Sequence, residues 1–137
     1  MFSSLFSSTT IPVLEQSVQF AQNRHEVLAG NIANLDTPGY RTRDLNTDLF
    51  QSRLKRAIAA RDSAGQQLVS AASEGPAADP FDHVRDSLNN IVYHDESNVG
   101  LEQQAAELAK NQIQHNLSMT ILTSQFQLLA AAINERA

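Results

Sequence analysis

The chain has 137 residues and a formal charge of −5, with two Tyr, six Phe and no Trp. This length and the few aromatic residues support at most one hydrophobic core of modest size. The acidic balance argues against nonspecific binding of nucleic acid, and the absence of cysteine excludes disulfides and thiolate metal sites. No run approaches the roughly 18 consecutive apolar residues of a membrane span, so we expect no membrane-spanning helix. The first basic residue is Arg24, so the chain lacks the positive start of a secretory signal peptide and we expect none.

Residues 1–10 are predicted to be a disordered start, and residues 11–36 a helix with a seven-residue repeat. Its apolar or near-apolar side chains recur in alternating steps of three and four, at Ile11, Leu14, Val18, Ala21, His25, Leu28, Ile32 and Leu35. This spacing is typical of helices that wind around each other in a left-handed coiled coil. Pro12 suits the first helical turn, where its missing N–H costs little.

Residues 37–61 are predicted to contain a turn, an extended segment and a short helix. Pro38 disfavours the helical conformation at Thr37, so the first helix must end there or shortly before, with Asn34 as a left-handed cap. Residues 37–40 place Pro and Gly at the central positions of a type II turn, in which Gly39 supplies the positive φ. Residues 41–45 then extend, and a helix from about 47 to 61 presents one apolar face, formed by Leu49, Phe50, Leu54, Ala57 and Ile58.

Residues 62–96 are predicted to be a flexible loop. Their first part is rich in Ala, Ser, Gly and Pro and shows no sustained periodicity. Near the end of the loop, residues 91–93 form a brief β-prone run.

Residues 97–137 are predicted to form a second heptad helix. Its stripe comprises Leu101, Ala105, Leu108, Gln112, His115, Met119, Leu122, Phe126, Leu129 and Ile133. If the terminal helices pair antiparallel, a register with Leu14 opposite Phe126 and Ala21 opposite Met119 matches the two stripes. The predicted fold class is therefore all-α: an elongated antiparallel coiled coil of the N- and C-terminal helices, with a short third helix, an extended turn segment and a flexible middle loop.

The apolar members of the two stripes are a candidate assembly seam, and two interpretations of them stay open: simple core patterning or a surface for association. The seam comprises Ile11, Leu14, Val18, Leu28, Ile32, Leu35, Leu101, Leu108, Met119, Leu122, Phe126 and Leu129. A second apolar band, Ile113, Leu117, Ile121 and Leu128, lies beside it on the C-terminal helix. Because one partner helix cannot cover both bands, we expect packing against neighbouring copies or related chains.

No catalytic, cofactor-binding or metal site is predicted. The consecutive residues 94–96, His-Asp-Glu, point their side chains in different directions, and His83 has no evident partner. His25 and His115 face each other in the register above, and such a polar pair fixes a register more commonly than it binds a metal. Phosphate-binding glycine loops and nucleophile elbows are absent from the sequence.

Charge is distributed unevenly along the chain. Six of the ten basic residues lie between Arg41 and Arg61, whereas residues 62–107 carry nine acidic groups and only Arg85. Two interpretations stay open. Both segments are ordinary solvated faces, or the basic segment of one subunit contacts the acidic segment of the next in a head-to-tail filament.

The string NIANLDTPGYRTRDL, residues 31–45, resembles the N-terminal signature of the bacterial flagellar basal-body rod protein family, part of the rod and hook axial proteins. Residues 97–133 resemble the C-terminal segment of proximal rod subunits, with the B type as the better match and the C type as the alternative. The family motif falls on Asn31, Ile32, Ala33, Asn34, Thr37, Pro38, Gly39 and Tyr40. The Ser-rich start and residues 61–80 match nothing in the family.

The resemblance implies a structural subunit of the proximal rod that polymerises through its terminal helices into part of the drive-shaft tube around the export channel. It implies three partners: copies of the chain, other flagellar rod proteins and the export-gate adaptor at the rod base. The expected location is the periplasmic rod, reached through the flagellar type III apparatus, and Phe2 and Phe6 are either an export signal or apolar tips of an unstructured end. We expect no enzyme activity, cofactor, nucleic acid or direct membrane span; the alternative is a soluble helical adaptor that binds a partner helix without polymerising.

Overall fold

The computed structural model describes residues 9–67, 79–93 and 100–134. In chain order the elements are helix α1 (Ile11–Ala33), strand β1 (Arg43–Leu45), helix α2 (Thr47–Gln67), helix α3 (Asp82–Arg85), strand β2 (Ile91–Tyr93) and helix α4 (Leu101–Asn134). None of the helices in these three ranges is long and apolar enough to cross a membrane. The predicted all-α fold, with long N- and C-terminal helices packed against each other, is confirmed.

The two terminal helices run antiparallel. Asn31 near the end of α1 contacts Gln104 near the start of α4, whereas Ala21 contacts Asn111 further along α4. By the rise of an α-helix, α1 is about 35 Å long and α4 about 50 Å long. Helix α4 therefore continues past Ile11, the first residue of α1.

The hydrophobic core joins α1 to β1, α2 and the segment 81–88. Its buried members are Phe20, Leu45, Phe50, Ala57, Phe81, Val84 and Leu88. At its centre the rings of Phe20 and Phe50 stack, with centroids 4.0 Å apart and planes 8° from parallel. At the far end of α2, Arg61 donates from Nη1 to the carbonyl oxygen of Thr9 at 2.8 Å. Helix α2 is therefore antiparallel to α1 and runs in the same direction as α4.

A tight turn at residues 37–40 connects α1 to β1. Helix α1 ends at Ala33, and Asn34 follows with a φ of −109°, so the predicted left-handed conformation of this cap is wrong. Asn34 caps the helix with its side chain instead, because its Nδ2 donates to the Gly30 carbonyl at 2.8 Å. The Tyr40 N–H donates to the Thr37 carbonyl at 3.1 Å, and Gly39 has a φ of 78°. A positive φ at this position is the geometry of a type II turn, which glycine adopts without a steric penalty.

Strands β1 and β2 form a two-stranded antiparallel sheet, with Arg43 opposite Tyr93 and Leu45 opposite Ile91. The sequence indicates each extended segment separately, but their pairing depends on the fold. The sheet carries Leu45 into the core, while Ile91 and Tyr93 stay exposed.

The middle of the chain has more helix than the sequence predicts. Helix α2 continues to Gln67 instead of ending near residue 61, because residues 62–67 contain no proline to stop it. Helix α3 lies inside the predicted loop, where Phe81, Val84 and Leu88 have a helix-like spacing and are buried in the core. The predicted loop residues 68–78 and 94–99, and most of the predicted disordered start, lie outside the described residues.

The pairing of α1 with α4 differs from the predicted register. Ala21, predicted to lie opposite Met119, accepts a hydrogen bond from Asn111 Nδ2 at 2.7 Å. Helix α4 is therefore displaced by about two turns relative to that prediction. The amides Gln104 and Asn111 are buried against α1, whereas Leu101 and Met119 are exposed.

Candidate assembly surface

Polar side chains, not apolar ones, make the closest contacts between α4 and the rest of the fold. Asn111 is 1% exposed, and its Nδ2 donates a hydrogen bond to the Ala21 carbonyl, which also accepts a backbone hydrogen bond within α1. Gln104, also buried, accepts through Oε1 from Asn31 Nδ2 at 3.0 Å. Because a buried amide is costly unless it is hydrogen-bonded, these two contacts select one position of α4 along α1.

A second set of contacts is the partly buried cluster formed by Arg24 of α1, Asp44 of β1 and Glu107 of α4. The Arg24 guanidinium binds Asp44 through two bonds, Nε to Oδ1 at 2.8 Å and Nη2 to Oδ2 at 2.6 Å. Its Nη2 also donates to Glu107 Oε2 at 2.9 Å. The hydrogen bond to Asp44 is the main cause of a raised Arg24 pKa, and the Arg24 side chain is 8% exposed. This cluster connects three elements through one cation.

Asn31, the first residue of the family motif, is fully hydrogen-bonded in the interior. Its Nδ2 donates to the Arg43 carbonyl at 2.6 Å and to Gln104 Oε1. Its Oδ1 accepts from the Tyr40 hydroxyl and from the Arg43 N–H, both at 3.1 Å. One amide thus positions the last residue of the turn, the start of β1 and the start of α4 on the end of α1.

The remaining motif residues build the turn that brings Tyr40 and Arg43 to Asn31. Asn34 caps α1, and Gly39 supplies the positive φ, as described above. Ala33, Thr37 and Pro38 are exposed, and Ile32 is half-buried. Their role as a shared family motif stays a prediction.

Most of α4 is exposed, including its large apolar side chains. The exposed apolar residues of α4 are Leu101, Ile113, Leu117, Met119, Ile121, Phe126, Leu128 and Ile133. Between Asn111 and Asn134 the helix carries no Asp, Glu, Lys or Arg. A long uncharged helix with apolar side chains in water is typical of a surface that another molecule covers.

The structure divides the predicted assembly seam into covered and uncovered parts. Ile11 and Leu28 are buried; Leu14, Val18, Ile32, Leu108, Leu122 and Leu129 are half-buried; Leu35, Leu101, Met119 and Phe126 are exposed. Of the second apolar band, Ile113, Leu117, Ile121 and Leu128 are all exposed. Phe2 and Phe6, the candidate export signal, lie outside the described residues.

The histidines of the described ranges belong to no group of three or more potential metal ligands. His25 and His115 line the same cleft between α1 and α4, and His115 Nδ1 is buried without a hydrogen-bond partner in the described ranges. His83 is exposed, and its Nδ1 lies 3.9 Å from Asp86 Oδ2. His94 is outside the described residues. Within the described part of the chain, no three His, Asp or Glu side chains are grouped as metal ligands.

Some members of the two charged segments have partners within the described part of the chain. Arg53 donates to the His83 carbonyl at 2.8 Å, and Arg85 pairs with Asp79 and Asp82. Lys55 and Arg56 on α2 are exposed. Pairing of the basic and acidic segments between subunits therefore stays a prediction.

Sequence reasoning missed the residues that fix α4, namely Arg24, Asp44, Gln104, Glu107 and Asn111. A heptad pattern is read from apolar side chains, so polar residues between them are assigned to the solvent. The available signal was that Gln104, Asn111 and Ser118 recur at seven-residue intervals on the face next to the predicted stripe.

Comparison with known proteins finds similarity to one class of protein. A family model described as "Flagella basal body rod protein" matches residues 18–41, which include the end of α1 and the turn that follows it. This match and the relatives below support a structural basal-body rod subunit, as predicted from residues 31–45.

The relatives that match most of the chain are named "Flagellar basal body rod protein FlgB". The proteins of Salmonella typhimurium LT2 and Escherichia coli K12 are each 28% identical over 123 residues, covering 82% of this chain and 84% of the relative. The protein of Aquifex aeolicus VF5 is 24% identical over 131 residues, covering 93% of this chain and 94% of the relative. These similarities support a proximal rod protein of the FlgB type and confirm the B-type resemblance.

Proposed function

We propose that the chain polymerises through its terminal helices into the proximal rod and forms part of the drive-shaft tube around the export channel. The observation that carries this proposal is the uncovered apolar surface of α4. Large apolar side chains that leave water contribute about 1.5–3 kcal/mol each when fully buried. A subunit that exposes many of them on one long helix gains much of its missing burial by association.

The fold also supplies a rigid attachment for that helix. The Arg24 cluster and the Asn31 and Asn111 bonds hold the first third of α4 to the body of the subunit. The rest of α4 projects along and beyond α1, with apolar side chains on opposite faces. A helix whose first third is fixed to its own subunit and whose remaining part is exposed can contact several neighbouring subunits at once.

The partners proposed are copies of this chain, other flagellar rod proteins and the export-gate adaptor at the rod base. The proposed location is the rod in the periplasmic space, reached by the flagellar type III apparatus. Deleting residues 1–6, which include Phe2 and Phe6, tests the route: loss of export with normal folding supports an export signal, and normal export contradicts it.

A structural role without catalysis completes the proposal. The relatives carry the names of basal-body rod proteins, which are structural. The candidate from another class, a soluble helical adaptor that binds one partner helix, is favoured only by the exposed α4, which both functions need. Fractionation separates them: co-purification with basal bodies supports the rod subunit, and a purely cytosolic pool supports the adaptor.

Substitution on α4 tests polymerisation directly. Ile113 is exposed and makes no core contact, so Ile113→Asp leaves the fold unchanged but puts a charge on the proposed surface. We expect the concentration needed for assembly to rise about tenfold or more, because covering an unpaired carboxylate opposes association. Gln112→Asp adds the same charge at an exposed polar neighbour and should have a smaller effect. Equal assembly of both variants, measured by sedimentation velocity, would count against the proposal.

A further inference from the structure

A groove runs along the subunit between α2 and α4, with α1 as its floor. The floor contains Phe20 and Leu28, the α2 wall contains Phe50 and Leu54, and the α4 wall contains Leu117. Because α2 and α4 both run antiparallel to α1, the two walls are parallel to each other, as in a bundle that lacks one helix. The floor from Ser17 to Leu28 spans about 17 Å along the helix axis.

The groove is polar at its rim but contains no isolated buried charge. Its deepest cation, Arg24, is neutralised by Asp44 and Glu107. The rim residues are largely amides and hydroxyls, Ser17, Thr47, Gln51, Gln103, Gln114 and Ser118, with Lys110 as the rim's cation. A charged segment would find no buried counter-ion here, whereas an uncharged amphipathic helix would leave no charge unpaired.

Helix α4 itself carries a segment with this chemistry. Met119, Phe126 and Ile133 are 41%, 47% and 69% exposed. Their seven-residue spacing puts them on one face of the helix. The segment from Met119 to Asn134 has no charged residue and includes Thr, Ser and Gln side chains that match the amide-rich rim.

This stripe faces away from the groove of its own subunit. Leu117, in the groove wall, precedes Met119 by two residues, which corresponds to about 200° around an α-helix. The stripe therefore cannot enter the groove of its own chain. A surface that is complementary to a different surface on the same molecule joins copies head to tail and produces an open filament unless the rotation closes a ring.

We propose that the face of α4 formed by Met119, Phe126 and Ile133 docks in the α1–α2–α4 groove of a second copy. This inference rests on the proposed function and names the contact between neighbouring subunits. The same helix then serves twice, because its Gln103–Ser118 part walls one groove and its Met119–Asn134 part fills the next. The inserted part is about 24 Å long, which exceeds the floor of the groove.

Disulfide crosslinking between two single-cysteine populations tests the contact, since the chain contains no cysteine of its own. Phe126→Cys chains are mixed with Gln51→Cys chains, Gln51 being an exposed residue of the groove wall. The matched control is Gln127→Cys, whose exposed side chain lies on a neighbouring face of α4. We expect about tenfold more crosslinked dimer with Phe126→Cys, because the two Cβ atoms must approach to about 4 Å.

The outcomes separate this contact from the proposed function. Assembly, followed by sedimentation and electron microscopy, with no preference for Phe126→Cys overturns the docking and leaves the rod subunit standing. An intramolecular disulfide in a Phe6→Cys/Gln51→Cys chain overturns it as well, because the groove is then filled by the same chain's first residues. A chain that stays monomeric at all concentrations overturns both proposals.

Discussion

Replacing Asn31 near the end of α1 by alanine should destabilise the subunit more than any single change in the turn at residues 37–40. Asn31 is 1% exposed and makes four hydrogen bonds. Alanine leaves the Arg43 N–H, the Arg43 carbonyl and Gln104 Oε1 without this partner, whereas the half-buried Tyr40 hydroxyl can turn to water. A buried polar group that loses its partner costs about 1–3 kcal/mol.

For three such groups we take the lower half of that range, because water can enter the space that the amide vacates. The expected loss in the free energy of unfolding is about 3–6 kcal/mol. This is a large part of the roughly 5–15 kcal/mol that stabilises an ordinary domain. The variant should therefore unfold at a much lower urea concentration, followed by circular dichroism at 222 nm.

The matched control is Asn34→Ala, which removes an identical side chain three residues later. The Asn34 side chain makes a single hydrogen bond, from Nδ2 to the Gly30 carbonyl, at the end of α1. Loss of this cap should cost about 0.5–1 kcal/mol. Equal destabilisation by the two alanine substitutions would show that Asn31 does not connect the turn, β1 and α4, and would refute the reasoning.

Three further predictions concern the cluster, the turn and the core. Arg24→Met leaves the Asp44 and Glu107 carboxylates facing each other without a cation and should cost about 2–3 kcal/mol, less than for a fully buried pair because both carboxylates are partly exposed. A double-mutant cycle with Asp44→Asn should give a coupling energy of about 1–3 kcal/mol. Additive effects of the two substitutions would contradict the cluster. The Arg24 pKa is raised on folding, so the stability that Arg24 contributes is fully present below its unfolded-state pKa and is lost only as the pH rises through the higher folded-state pKa. Titration of Arg24 should therefore not change the cost of Arg24→Met in urea unfolding over the neutral pH range. A Cβ added at Gly39 meets no atom within 4 Å, so the cost of Gly39→Ala, about 1 kcal/mol, comes from the positive φ and should appear as a lower melting temperature. Gly100 is equally open and has no positive φ, so Gly100→Ala should melt like the parent chain. Phe50→Ala removes the ring stacked on Phe20 and should cost about 3–4 kcal/mol by urea unfolding; a loss below about 1 kcal/mol would mean that this stack is not the centre of the core.

The helices and the turn follow from local patterns in the sequence. Heptad spacing identifies both terminal helices, and Pro38 and Gly39 determine how the chain turns after α1. These features depend on the conformations allowed to a few neighbouring residues, so they can be read from a short window. Residues 31–45 also carry the family resemblance for the same reason.

The register of α4, the pairing of β1 with β2 and the burial of residues 81–88 depend on contacts between distant parts of the chain. A heptad repeat looks the same after each shift of seven residues, and the uncharged stretch of α4 is apolar on several faces, so its pattern does not select the side that meets α1. The selection comes from Arg24, Asn31 and Asn111, whose polar groups can be buried only where partners on other elements satisfy them. The sequence by itself thus determined the two terminal helices and the turn after α1, whereas the tertiary structure decided which faces are covered and which stay open to a neighbour.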